Sequence, residues 1–479
     1  MGVIDWTIVA AYLLTLVGLS WRDRNALRGS ASQVILGGRA LTLPAFVATL
    51  VTTWYGGILG VSEYSYSYGI SNWVVFGAPY YLGAIVFALF LAKRARRSEA
   101  LTIPRRISQT IGRRSGFIAA LLVFVTSAPT AYLLGLGILI QYFMGVPAGL
   151  AMILAALFSV GYVSIGGFKA VVRTDKLQFV LMYGGFAALF AILFVQYGFW
   201  DFIVSHVPSD HISWTGGASL WYIGSWYIIA QGALVEPTFH QRCYAAEDEQ
   251  TARRGILISV VFWMFFDFLT TFCGLYARAL LPDLANPALA FPQLALQVLP
   301  PVALGLFVTG MLAVVMSTID SNSFIAATTF SFDLLGFPRA KANGSATGEN
   351  RLRRNTLIGL WVSTALAALF ALAFESIVEV WKEFGSVIMP ALLAPIGFAF
   401  CSHKKQTRLS DSQGVMLILL PALVSTAWIA YRHLSAEGLY PFSEYPFLSE
   451  PIFPGLYLSL LLSVIFISNR NLKVSNSNA

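Results

Sequence analysis

Apolar runs of about 18 to 25 residues recur along almost the whole of this chain, each long enough to cross a hydrocarbon layer roughly 30 Å thick. Such runs belong either to the core of a very large soluble domain or to membrane spans, and composition decides between them. Charged residues make up only 11% of the chain, apolar residues 57%, and the mean hydropathy is +0.70. Soluble domains carry about 25% charged residues. We count thirteen candidate spans, from 3–20 at the start to 452–467 at the end. No connecting segment is long enough for a soluble domain, which excludes a fused kinase or catalytic module. The first run lacks a basic leader and a small-residue cleavage site, so it reads as a retained helix. Cys243, Cys273 and Cys401 are far apart and form no CxxC pair, so neither a disulfide framework nor a thiolate metal site is indicated.

Charge placement gives the topology. With the N-terminus outside, all of the 31 lysines and arginines except Arg278, Lys382 and Arg432 fall in cytoplasmic segments. That asymmetry is the positive-inside pattern, and it puts the C-terminus in the cytoplasm of a bacterial inner membrane. The net charge of +8 is thereby explained by short loops, and no nucleic-acid partner is expected.

Two spans are interrupted. The second carries Thr52-Thr53-Trp54-Tyr55-Gly56-Gly57 at mid-depth, and the seventh carries Gln231-Gly232 and then Glu236-Pro237. Their starts are five helices apart, the pattern of two inverted five-helix repeats that each open with a broken helix. Residues 43–198 and 219–403 form the two repeats, flanked by an extra helix with its basic loop (1–42) and by extra C-terminal helices with a short tail (412–479).

The ninth span supplies the chemistry. Val314, Ser317, Thr318 and Ser321 lie at i, i+3, i+4 and i+7, one stripe of a helix. Hydroxyl and carbonyl oxygens in such a row suit a hard cation. Asp320 sits among them, and an ionised acid at mid-membrane costs about 2.5–3.5 kcal/mol unless a cation, a proton or a partner meets it. A second acid, Asp175, begins the sixth span.

The stretch GG-x-x-AV-x-x-TD-x-x-Q at 166–178, MST-x-DS at 316–321, QR-x-x-AA at 241–246, and Gly60, Tyr64 and Gly69 at their spacing resemble the sodium/solute symporter family. Proline, pantothenate, sialic acid and sodium/glucose cotransporters belong to that family. The resemblance implies an all-α membrane protein of about thirteen transmembrane helices, a leucine-transporter-type 5+5 inverted repeat with extra flanking helices. It implies sodium as the coupling ion, with no organic cofactor. The common sodium site maps to the carbonyls of Leu50, Thr53 and Val314 and the hydroxyls of Ser317 and Thr318. A second sodium site maps to Asp175, Ser317, Asp320 and Ser321, although some members carry Ser where this chain has Asp320. The solute site maps to Gly57, Phe76, Pro79, Glu236, Phe239 and Lys382, with Thr52 and Trp54 beside the break. Gly57, Phe76 and Pro79 offer no side-chain hydrogen bonds, which argues against a hexose; an arginine-free fourth span argues against sialic acid.

The expected activity is therefore sodium-coupled import of a small organic solute through the bilayer by alternating access, carried here by a monomer. Proton coupling through Asp175 or Asp320, and a transport-deficient solute sensor, are the alternatives. A membrane enzyme is not expected, because no HExxH and no nucleophile–base pair is present.

Overall fold

The computed structural model describes residues 1–336, 346–374, 376–401, 409–435 and 450–477. Within them the regular structure is helical, joined by turns and loops, with an isolated β-bridge between Leu41 and Ala246. A chain in hydrocarbon must satisfy every backbone N–H and C=O internally, and helices do so within one segment. Among the described residues ten helices are long and apolar enough to cross a membrane, and Ile452–Ser468 is a shorter apolar helix.

Two of the segments that depart from the simple pattern of one run, one rod change the reading of the chain's course. The helix Ala148–Tyr197 has 50 residues, which would be about 75 Å if straight and so far exceeds one crossing. It turns at Gly167, whose φ of 57° and ψ of −153° are closed to most side chains. A Cβ there would also lie 2.7 Å from Leu27. The segment expected as a loop at 166–176 is thus helix on both sides of one glycine. The region expected as a span at 220–239 is cut into Leu220–Ile229, a 3₁₀ turn Ala230–Leu234, and Pro237–Ala245.

Burial sorts the helices into centre and rim. Of the most apolar stretch in Leu43–Tyr68, 94% is buried, and in Ala303–Leu334 83%; in Val3–Arg22 the share is only 28%. The rim helices turn residues such as Leu14, Val180 and Leu423 outward, as lipid-facing surfaces do. The two central elements are the ones that carry the broken backbone and the oxygen stripe.

The N-terminal helix anchors the central one. Asp5 is buried and its Oδ1 accepts from the backbone N–H of Val302 (3.0 Å) and Gly305 (3.1 Å). A carboxylate at a helix N-terminus satisfies orphan donors and complements the dipole. That contact holds the entry of the helix Ala303–Thr328, where Val302 takes a φ of 75°.

Candidate functional site

The first broken helix runs from Leu43 to Trp54, passes through a 3₁₀ turn at Tyr55–Gly57, and resumes as Ile58–Tyr68. Gly56 and Gly57 are there because nothing larger fits. A Cβ on Gly56 would lie 2.1 Å from Thr318 Oγ1, and one on Gly57 would lie 1.7 Å from the Trp381 ring. The break removes the normal acceptor role of the last carbonyls of Leu43–Trp54, which must find other partners.

One of them finds the central helix. Thr318 Oγ1 donates to the carbonyl of Thr53 at 2.8 Å and lies 3.2 Å from the carbonyl of Val314 on its own helix. Three of the five oxygens expected in the first sodium site therefore meet at one point between two helices. Leu50 lies one turn before Thr53 and is buried; Ser317, beside Thr318, is fully buried and donates to Asp175 Oδ1 at 2.6 Å.

The residues expected in the second site separate into two groups. Asp175 is fully buried and accepts from the hydroxyls of Thr49 and Ser317. Beside it lies Arg242, also fully buried, whose Nη2 donates to Ser321 Oγ (2.6 Å), Thr53 Oγ1 (3.0 Å) and Thr49 Oγ1 (3.1 Å). The same nitrogen is 4.0 Å from Asp175 Oδ2. A guanidinium thus sits among the oxygens of Asp175, Ser321 and Thr53. Asp320 faces elsewhere, accepting from Ser159 Oγ at 2.8 Å and from the Tyr162 hydroxyl on the helix Ala148–Tyr197.

A cavity of about 210 Å³ opens beside the break, many times the ~10–15 Å³ that holds one water. Thr53 lines it, so the oxygens expected to hold sodium and the cavity share a wall. Of the residues expected to face the solute, Trp54, Gly57, Phe76 and Glu236 line it. Glu236 caps the helix Pro237–Ala245 through its Oε1, which accepts from Thr238 Oγ1 at 3.1 Å. The remaining expected solute residues lie outside the wall. Thr52 bonds back to the Ala48 carbonyl at 2.9 Å. Phe239 is fully buried behind Trp54, ring centroids 5.4 Å apart. Pro79 is buried in its own helix. Lys382 pairs with Glu450 at 2.8 Å, and it is the preceding residue, Trp381, that faces the cavity.

Several lining or bridging residues were not singled out from sequence. Arg242 lies in the QR-x-x-AA stretch, where charge placement assigns it to a cytoplasmic loop; the structure buries it completely. Asp267 lines the cavity from the helix Glu249–Leu280 and accepts from the Tyr81 hydroxyl. An acid inside an apolar span is itself a signal of function, and Asp267 carries it. Tyr80, Tyr132 and Trp381 gave no comparable signal, because aromatics are common in membrane helices.

Residues 34–408 match the model of the sodium:solute symporter family. The chain belongs to that family. It is 26% identical to the sodium/pantothenate symporter of Escherichia coli (strain K12), with 95% of each chain covered, and 22% identical to the sodium/glucose cotransporter of Vibrio parahaemolyticus, with 98% of this chain and 91% of that one covered. Over a shorter stretch, 37% of this chain and 32% of the other, it is 33% identical to the human high affinity choline transporter 1. Among solved structures, a Na⁺-coupled sialic acid symporter in a substrate-bound outward-open state superposes with a TM-score of 0.78 at 16% identity, over 98% of both chains. A nucleobase-cation-symport-1 family transporter in a closed conformation gives 0.52 at 13% identity, over 94% of this chain and 95% of that one. These neighbours share the fold, that of leucine-transporter-type transporters. Family membership makes this a multi-pass membrane transporter of a small solute; its relatives are symporters and not enzymes.

Proposed function

We propose that this symporter imports a small organic solute against its gradient, driven by sodium and by alternating access. The observation that carries the reading is the Thr318 bridge to the carbonyls of Thr53 and Val314, at a helix break that borders the cavity. A sodium ion that takes these oxygens as ligands ties the broken helix to the central one and completes the cavity wall. Loss of the ion loosens the same contact, which links ion occupancy to solute capture.

The energetics suffice. One charge crossing 100 mV releases about 2.3 kcal/mol, and a tenfold sodium gradient adds about 1.4 kcal/mol. Together they support roughly 500-fold accumulation per coupled ion.

The finer architecture belongs to the same proposal. Ala148–Tyr197 counts as two crossings hinged at Gly167, and the interrupted 220–245 region and Ile452–Ser468 each count as one, which makes thirteen. Residues 43–198 and 219–403 are the inverted repeats, with 1–42 and 412–479 outside them. The N-terminus is outside and the C-terminus cytoplasmic in a bacterial inner membrane, and the monomer is the working unit. Asp175 accepts from two hydroxyls and lies 4.0 Å from a guanidinium, which ties its carboxyl group into the seam between the helices.

Thr318→Ala tests the reading. The change removes one hydroxyl ligand from a site fed by three carbonyls, so sodium-induced thermal stabilisation of the detergent-solubilised protein should fall to the level seen with potassium. A sodium response identical to that of the unmodified protein would remove Thr318 from the site.

A further inference from the structure

The cavity's chemistry is lopsided in charge. Two carboxylates line it, Glu236 at the second helix break and Asp267 on the helix Glu249–Leu280. Among the described lining residues none is lysine, arginine or histidine. Two nearby cations have partners of their own: Lys382, expected from the sequence at the solute, pairs with Glu450, and the fully buried Arg242 donates to Ser321, Thr49 and the lining residue Thr53.

Seven of the other lining residues are aromatic; the remainder are small or aliphatic residues and neutral polar ones such as Thr126, Ser127 and Asn322. Trp54 and Tyr80 meet edge to face, centroids 5.2 Å apart with an interplanar angle of 68°. On the other side Phe76 and Trp381 meet at 6.3 Å and 70°, and Tyr132 lies 6.5 Å from Trp381 at 52°. Rings set at steep angles to one another turn faces and edges in several directions around one volume. Aromatic faces carry negative quadrupole charge and attract cations, and most strongly where water is excluded.

A solute bearing a carboxylate or phosphate would meet two acids and no basic partner here. A neutral solute would bring no counter-charge to the two acids of the wall. An ammonium group satisfies both features at once. We infer that the solute of this transporter is a small organic cation, an alkylammonium of choline size without a carboxylate, held by Glu236 and Asp267 within the ring of Trp54, Tyr80, Phe76, Tyr132 and Trp381. This rests on the transport reading above and narrows its substrate class.

The acids admit a clean test because their structural bonds survive amidation. Gln at 236 can still accept from Thr238, and Asn at 267 can still accept from Tyr81, so Glu236→Gln and Asp267→Asn remove charge while keeping shape. Thermal stabilisation of the full chain would be titrated with choline and tetramethylammonium, with 3,3-dimethyl-1-butanol (the uncharged carbon isostere of choline), and with glucose, proline and pantothenate. Each titration would be run in sodium and in potassium. The expected result is saturable stabilisation by the ammonium compounds in sodium, at least tenfold weaker binding of the isostere, and a loss of tenfold or more in either amide variant. Retention of the sodium-induced shift in those variants would show that they are folded.

The inference is overturned if glucose, proline or pantothenate stabilises in sodium while neither ammonium does, or if no probe stabilises at all. It is also overturned if the isostere binds as well as choline. Ammonium binding that is equal in sodium and potassium would support the cation cavity and sink the sodium-coupled reading instead, so the two failures are distinguishable.

Discussion

Gly56→Ala is the sharpest perturbation the structure offers, because it adds one methyl group at the seam between the broken helix and the central one. That methyl carbon would lie 2.1 Å from Thr318 Oγ1, 2.2 Å from its Cβ and 2.7 Å from its Cγ2. Rotating the threonine hydroxyl cannot relieve the clash, since the Cβ is fixed by the backbone. Ordinary van der Waals contact begins near 3.4 Å, so the helices must part by roughly 1.3 Å. The Thr318–Thr53 hydrogen bond of 2.8 Å would then stretch to about 4 Å, beyond bonding range. Overpacking of this kind costs about 1–3 kcal/mol, which corresponds to a 5- to 150-fold change in a coupled affinity. Because the proposed sodium ligands come from both helices, we expect the half-maximal sodium concentration for thermal stabilisation to rise by that factor. Potassium at matched ionic strength serves as the baseline. Gly184→Ala is the control: it sits in a helix with nothing within 4 Å of the added carbon, and its sodium titration should match the unmodified protein. A Gly56→Ala protein with an unaltered sodium midpoint would refute the claim that this seam is the ion site.

Other substitutions probe other parts of the account. Arg242→Met strips the buried Asp175 of its nearest cation, which should lower stability by about 3–5 kcal/mol; the double change Arg242→Met with Asp175→Leu should recover much of the lost melting temperature, and a single variant as stable as the parent would contradict the pairing. Lys382→Met breaks a partly exposed bridge to Glu450 away from the cavity, so it should cost no more than about 1 kcal/mol and leave solute affinity within about twofold. A tenfold loss of solute affinity would place Lys382 at the solute after all. In the loop between Tyr197 and Leu220, burial pushes the His211 imidazole below its ordinary value of 6.5, and its Nε2 bonds the Tyr66 carbonyl while Nδ1 has no partner among the described residues. The neutral ring therefore favours the folded state: its contribution is complete above pH 6.5 and declines as pH falls through the lower folded value. His211→Gln should flatten the thermal-stability profile between pH 7.5 and 5, and an unchanged acid-side slope would exclude this residue as its source.

What the sequence made legible were features fixed by spacing alone. The glycine pair at 56–57 marked the first break, and the periodicity of 314, 317, 318 and 321 marked the stripe that the structure turns toward Thr53. Rotation about a helix axis was not legible. Lys382 and Trp381 are one residue apart, about 100° of helical turn, and packing of Trp381 against Gly57 decides which of them faces inward. Asp320 shares the stripe's neighbourhood by spacing, yet Ser159 and Tyr162 on the neighbouring helix draw it to the other side. Phe239 and Thr52 lie close to the cavity in sequence and behind its wall in space. Arg242 is illegible for a different reason: a basic residue near the end of an apolar run has the same sequence pattern whether it lies in a loop or is buried at the end of a broken helix.

Solute uptake into proteoliposomes of the purified chain, with an inward gradient of sodium, potassium or lithium imposed in turn, tests the central claim most directly. Uptake that rises with the sodium gradient, fails with potassium, and loses its sodium preference on Thr318→Ala is the predicted result. Uptake of equal rate and extent under every alkali ion, unaffected by that substitution, would contradict it.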